Sequence, residues 1–259
     1  FACSVVTGAP LSGFNRFTVA ARSPLTGAFG EAEAGGYWGP ELKFAGYDMI
    51  IVRGKANEPL MLVIDDDKFE LRPAADPWGT DTITTHRQIK TTFGKDFKVA
   101  CIGPAGENSV LIAGIISEYR ALGRGGAGAV MGSKNLKAIA VRGSGNIPIF
   151  DPDGFMKTCR EAFNELANNP DTGGGRQKYG TNVILSLMDE VGIHPVRNFQ
   201  KGKFAGADRV NEDVVEEYYV RNKACFGCPI HCKHEFKIKK GPFANEHGHG
   251  TEFCIMSAH

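Results

Sequence analysis

The chain has 259 residues, 42% hydrophobic and 23% charged, enough for one large domain or two of ordinary size in water. Thirty basic residues (Lys+Arg 30) against Asp+Glu 29 leave a formal net charge of +1, which points away from nucleic acid and other polyanionic partners. No run of about 18 apolar residues is present, which excludes a helical membrane span, and Phe1-Ala2-Cys3-Ser4-Val5-Val6 lacks the basic start and full apolar stretch of a signal peptide.

The first 145 or so residues read mostly as strands and turns. Thr18-Val19-Ala20-Ala21 is a short strand, and residues 48–54 are a stronger one closed by Gly54. Leu60-Met61-Leu62-Val63-Ile64 is a strand entering a turn at Asp65-Asp66-Asp67. Residues 81–94 carry a helical pattern with Ile83, Ile89 and Phe93 apolar. Residues 98–104 and 138–143 are two further strands. After Gly145-Asn146-Ile147-Pro148 the texture changes. Asp151-Pro152 is a helix start, with an Asp cap and Pro at the first helical position. Phe155, Met156, Cys159, Phe163 and Leu166 then recur at helical spacing. Residues 182–191 and 211–220 also read as helices. The expectation is an α+β chain: a β-rich domain over residues 1–148 and the beginning of a helical domain over residues 149–259. The chain opens inside an apolar run without an initiator Met and stops as an apolar segment begins, which predicts a piece of a longer protein.

Seven cysteines is an odd number, and three of them fall within eight residues. That pattern suits a metal site in a reducing cytoplasm better than a secreted disulfide framework. Cys3, Cys101 and Cys159 read as buried thiols. Cys225, Cys228 and Cys232, spaced C-x2-C-x3-C, can converge on one centre, and Arg221, Lys223 and Lys233 favour the thiolate form. Iron–sulfur clusters take four thiolates, often three from one short stretch and one from far away. The same spacing admits zinc, with His231 or His234 as fourth ligand. The spacing leaves both open.

Glycine clusters twice among 33 residues, at residues 27–39 and 123–132. The segment from Arg120-Ala121-Leu122-Gly123-Arg124 to Lys137 is basic and glycine-rich. Glycine lets backbone approach a phosphate closely, and arginine adds bidentate charge, so an anionic cofactor is one reading. A tight set of turns is the other. The segment is not a P-loop. In Gly35-Gly36-Tyr37-Trp38-Gly39, aromatics between glycines read either as a hairpin loop or as walls for a flat heterocycle.

Together these segments resemble the aldehyde ferredoxin oxidoreductase family. The pieces that carry the resemblance are Ser23-Pro24-Leu25-Thr26-Gly27, the run from Gly35-Gly36-Tyr37-Trp38-Gly39 to Tyr47-Asp48, Ile102-Gly103-Pro104-Ala105-Gly106-Glu107-Asn108, and the run from Gly123 to Ile139. Gly173-Gly174-Gly175, Lys178-Tyr179-Gly180-Thr181, Pro195-Val196-Arg197-Asn198-Phe199-Gln200 and the cysteine cluster follow in the family's order.

The resemblance implies a β-rich base holding two pterin dithiolenes on one tungsten or molybdenum, with magnesium bridging the pterin phosphates. Arg16 would lie between pterin and cluster, and Glu33 and Gly35 would sit beside the cofactor. Arg120, Ala121, Gly123 and Arg124 would bind pterin and phosphate groups. Cys225, Cys228 and Cys232 would be three ligands of a [4Fe-4S] cluster, the fourth lying outside this chain. Two positions depart from the family. Glu33 stands where members carry Asn, which sets a carboxylate against an anionic cofactor. Cys254, in Glu252-Phe253-Cys254, stands where a Glu is implicated in proton transfer, which hints at a different substrate. No catalytic residue is assigned; Glu252, His247 and His249 are nearby candidates.

The implied activity is oxidation of aldehydes to carboxylic acids, with electrons leaving through the cluster to ferredoxin or an iron–sulfur partner subunit. The alternative within the family is reduction of an aromatic acyl-CoA, of the benzoyl-CoA reductase type. The alternative of another class is a zinc-binding structural module. A homo- or hetero-oligomer and a cytoplasmic location are further expectations, and the isolated chain, without the fourth ligand, is expected to be inert.

Overall fold

The structure, a computed structural model, describes residues 1–250. It is an α+β chain that divides into two compact units. The first comprises Phe1–Pro152 together with Cys225–Gly227; the second comprises Asp153–Ala224 and the chain from Cys228 onward.

In the first unit, strands β1 (Ala2–Cys3), β2 (Phe17–Arg22) and β3 (Phe29–Ala34) form an antiparallel sheet. Ser23-Pro24-Leu25-Thr26-Gly27 is the β2–β3 turn: the Ser23 hydroxyl accepts the amides of Leu25 and Thr26, each at 3.3 Å, and Gly27 takes φ +70°. Helix α1 (Trp38–Phe44) follows, then strands β4 (Leu60–Asp65) and β5 (Lys68–Pro73), helix α2 (Thr82–Phe93), strand β6 (Lys98–Cys101), the short α3 (Pro104–Glu107), strands β7 (Ile115–Ser117) and β8 (Arg120–Leu122), helix α4 (Ala127–Ser133) and strand β9 (Leu136–Arg142). Their six-stranded sheet runs β5-β4-β9-β6-β7-β8, with β4 and β9 parallel and every other pair antiparallel.

At β9 that sheet is buried on both faces, which explains why β9 reads as an unbroken apolar run. Ile139 and Val141 point into one cluster with Phe17, Trp38, Leu42 and Ile64. Ala138 and Ala140 point into the other with Val63, Ile89 and Phe97. Lys137 lies on the same buried strand. Its ammonium donates to Glu107 Oε1 at 2.5 Å and to the Thr80 carbonyl at 3.0 Å.

Helix α2 starts where its cap dictates. Asp81 Oδ1 accepts the amides of Ile83 (2.8 Å) and Thr84 (2.9 Å). The Thr84 amide and hydroxyl hold the Asp81 carboxyl below its usual range. A carboxyl lowered in the folded state stabilises above its unfolded pKa, and that contribution is lost as pH falls through the folded value. Asp81→Ala is therefore expected to cost about 1 kcal/mol at pH 7, with the gap to the parent narrowing as the carboxyl is protonated in acid; urea midpoints at neutral and at acid pH check this, and a constant gap refutes it.

In the second unit, helix α5 (Pro152–Asn168) leads into a π-helical turn (Pro170–Gly175), helix α6 (Arg176–Tyr179), a 3-10 turn (Gly180–Ile184), helix α7 (Leu185–Glu190) and helix α8 (Glu212–Glu216). Strands β10 (Tyr219–Lys223), β11 (Lys233–Lys237) and β12 (His247–Gly250) form an antiparallel sheet.

Three expectations need correction. Residues 48–54 are extended but form no strand: Cys3 donates to Asp48 O and Ile50 exchanges hydrogen bonds with Phe1, after which Ile51 lies exposed. Ala2 and Met49 form an isolated antiparallel bridge that does not extend into a ladder. Residues 211–220 hold one short helix, α8, because aromatic and β-branched Tyr219-Val220 pair into β10 instead. Residues 182–191 begin as 3-10 turn and become α-helical only at Leu185. Among the described residues no helix is long and apolar enough to cross a membrane.

Candidate functional site

A cleft of about 510 Å³ opens between β3 and the end of β8, lined by Ala32, Glu33, Ala121, Gly123 and Arg124. The size suits a small-molecule site. Four of those residues are ones the sequence singled out. Glu33 and Arg124 are both exposed. A Cβ built on Gly123 would meet only the Ala121 methyl, at 4.0 Å, so that wall is open space.

The remaining cofactor candidates border the same strands. Arg16 precedes β2, and its Nε donates to Glu33 Oε2 at 2.9 Å. The Thr18 hydroxyl reaches Glu33 Oε1 at 3.5 Å. The carboxylate that departs from the family pattern is thus matched by a guanidinium. Arg120 opens β8, and its Cγ lies 3.5 Å from where a Cβ on Gly36 would stand. Gly35 is buried, and a Cβ there would stand 3.1 Å from Cys225 Sγ. A side chain at residue 35 would cover that thiol, so glycine keeps it open. These features fit an anionic, flat cofactor beside a thiolate-held cluster: arginines at the ends of β2 and β8, a wall bare of side chains, and an uncovered sulfur.

The two glycine-rich segments divide their work. Gly123 and Arg124 face the cleft, but the glycines after them serve packing. A Cβ on Gly126 would stand 2.2 Å from Leu111 O, on Gly128 2.3 Å from Gly114 O, and on Gly132 2.0 Å from Gly106 O. In Gly35-Gly36-Tyr37-Trp38-Gly39 the tryptophan walls no heterocycle. Trp38 is fully buried, and its indole N–H donates to the Ile139 carbonyl at 3.1 Å. Tyr37 stays partly exposed; burial raises its phenol above the usual range, Cys225 adds to this and Arg120 opposes it.

The cysteine segment joins strands β10 and β11. Cys225, Cys228 and Cys232 are half-buried thiols. Cys225 belongs to the first unit, and Cys228 and Cys232 to the second. Among the described residues no three His, Cys, Asp or Glu side chains gather as a metal site. Within the second unit, Gln177 backs this segment: its amide donates to Pro229 O at 3.3 Å, and its carbonyl accepts from Asn222 and from His234 Nε2. His234 is 1% exposed, and its Nδ1 lies 3.6 Å from Glu216. With both ring nitrogens engaged, it is a poor fourth ligand for zinc. His231 is exposed, at φ +52°. His247 and His249 lie on β12, next to Glu235 on β11. Glu252 and Cys254 fall outside the described residues.

Sequence reasoning missed Gln177 and Asn15, which hold the cysteine segment from within the second and first units respectively; only a buried polar residue beside a motif signals such a role.

Residues 1–143 match the model for the aldehyde ferredoxin oxidoreductase N-terminal domain. The chain belongs to the aldehyde ferredoxin oxidoreductase family. Residues 157–258 match the family's domains 2 and 3. A tungsten-containing aldehyde ferredoxin oxidoreductase of Pyrococcus furiosus is 49% identical over 87% of this chain and 38% of its own length. The WOR-like subunit of an aliphatic sulfonate oxidoreductase from the same organism is 30% identical over 92% of this chain and 41% of its own. Among solved structures, the BamBC active-site complex of benzoyl coenzyme A reductase with 1,5-dienoyl-CoA aligns at TM-score 0.80 and 29% identity, covering 97% of this chain and 40% of that one. The chain thus spans about two fifths of the length of the relatives it matches.

Proposed function

We propose that the protein is a tungsten or molybdenum bis-pterin oxidoreductase that oxidises aldehydes, with water, to carboxylic acids, releasing two protons to solvent and passing two electrons, one at a time, through a [4Fe-4S] cluster to ferredoxin or an iron–sulfur subunit. The observation that carries this reading is the convergence of Glu33, Ala121, Gly123 and Arg124 on one cleft, with Arg16, Gly35 and Cys225 at its border. When bound, the metal and its pterins supply the redox chemistry. The chain's own share is grip and placement. Arg120 and Arg124 would hold the anionic edge of the pterin and its phosphates. Glu33 orients Arg16, and Gly35 leaves the Cys225 sulfur uncovered. Cys225, Cys228 and Cys232 supply three cluster thiolates.

A second reading, reduction of an aromatic acyl-CoA, is supported by the likeness to the BamBC complex. The higher identity to tungsten-containing aldehyde enzymes favours the first. Plasma mass spectrometry of the anaerobically purified full-length protein separates the classes. Tungsten or molybdenum with about four irons per chain is expected. Zinc without iron or heavy metal overturns the proposal in favour of a structural zinc module. Dye-linked assays with aldehydes and with aromatic acyl-CoA then choose between the two enzymatic readings.

A further inference from the structure

The first cysteine of the motif is seated by a residue far from it in sequence. Asn15 is 3% exposed, and its Nδ2 donates to the Phe226 carbonyl at 2.9 Å, across 211 residues. The amide orientation is set by chemistry: a carbonyl only accepts, so the nitrogen must face it. Phe226 N in turn donates to Gly36 O at 3.1 Å. These two bonds tie the peptide groups on either side of the Phe226 Cα to residues just before β2 and just after β3. The Phe226 ring packs edge-on against Phe44 at 5.6 Å and Tyr37 at 6.3 Å. Gly227, at φ +64°, lies so close that a Cβ there would stand 3.0 Å from the backbone of Pro10 and Leu11. Asn15 Oδ1 would lie 3.0 Å from a Cβ on Gly35, the same position that faces Cys225 Sγ. Asn15 also immediately precedes Arg16, which pairs with Glu33 on the cleft wall.

We propose that Asn15 is a positioning residue: its buried carboxamide, by fixing the Phe226 carbonyl, holds the Cys225 thiol at Gly35 beside the cofactor cleft. The bond is a positioning device because it acts on the backbone one residue past the sulfur. Loss of the donor leaves a half-buried carbonyl without this partner and frees the peptide to turn. This inference rests on reading Cys225 as a cluster ligand, but its geometry stands without the cluster.

The test uses full-length Asn15→Asp and Asn15→Leu, which keep the side-chain size but remove the donor, and Asn15→Gln, which keeps the amide. In metal-depleted protein, iodoacetamide labelling of Cys225 is followed by peptide mass spectrometry. Cys3, in the same unit, is the control; burial pushes its thiol up to about 12, so it reacts only if that unit loosens. The expected result is Cys225 labelling faster by about tenfold in the Asp and Leu variants, Cys3 unchanged, and Gln closer to the parent. In metal-loaded protein the same two variants are expected to lose iron to chelator faster and to alter the electron paramagnetic resonance of the reduced cluster. Unchanged Cys225 labelling, or a parallel rise at Cys3, overturns the proposal. If the parent holds no iron, the cluster reading fails while the labelling still decides the role of Asn15.

Discussion

Lys137→Met is expected to cost about 3–5 kcal/mol of stability. The ammonium is fully buried, and its partner Glu107 is 4% exposed. In the parent every charge is answered: Lys137 Nζ donates to Glu107 Oε1 and Thr80 O, and Glu107 Oε2 accepts the Gly79 amide at 2.9 Å. Removing the ammonium leaves a buried carboxylate with one remaining donor. Thermal unfolding should show a midpoint lower by about 10 °C. The double variant Lys137→Met/Glu107→Leu should recover a large part of that loss, because no buried charge is then left uncompensated. A single variant that melts with the parent would refute the buried pair.

The second large effect is at the cleft. Arg124→Ala removes a charge-assisted donor from the wall opposite Glu33. Such a bond is worth about 1.5–3 kcal/mol, so affinity for an anionic cofactor should fall by roughly 10- to 100-fold. The readout is pterin and tungsten or molybdenum per chain after gel filtration, with thermal stability as control. Arg124 is exposed, so the fold should hold. Arg124→Lys should fall between, since an ammonium keeps the charge but not the fork of donors. Cofactor content equal to the parent's in Arg124→Ala would show that the anionic groups bind elsewhere.

The buried pair also changes how the family signature is understood. Glu107 and Lys137 both stand in segments that carry the resemblance, as do Trp38, Gly128 and Gly132. In the structure these residues hold the scaffold together: an ion pair, an indole bond to Ile139, and backbone contacts that only glycine allows. The cofactor reading draws on a smaller set, Arg16, Glu33, Gly35 and the stretch from Arg120 to Arg124. A signature shared by a family records what the fold needs as much as what the site needs.

What the sequence by itself determined is local. Local signals were legible because their partners lie within a few residues: the helical pattern of residues 81–94, which is α2, and Pro152 opening α5. The strands β4, β6 and β9 were legible because burial on both faces demands unbroken apolar runs. The spacing of Cys225, Cys228 and Cys232 marks a metal-site candidate in the sequence, with iron–sulfur and zinc both open. What only the tertiary structure decided is long-range. Residues 48–54 have strand composition but pair at an isolated bridge, Met49 with Ala2, and not along a ladder. Trp38 could face a ligand or the core, and the Ile139 carbonyl, 101 residues away, decides for the core. Glu33 looks misplaced beside an anionic cofactor until Arg16 is seen bonded to it, and Asn15 is an ordinary loop residue until the Phe226 carbonyl arrives. Propensity and capping act through neighbours along the chain, whereas a buried polar group is satisfied by whatever the fold brings to it.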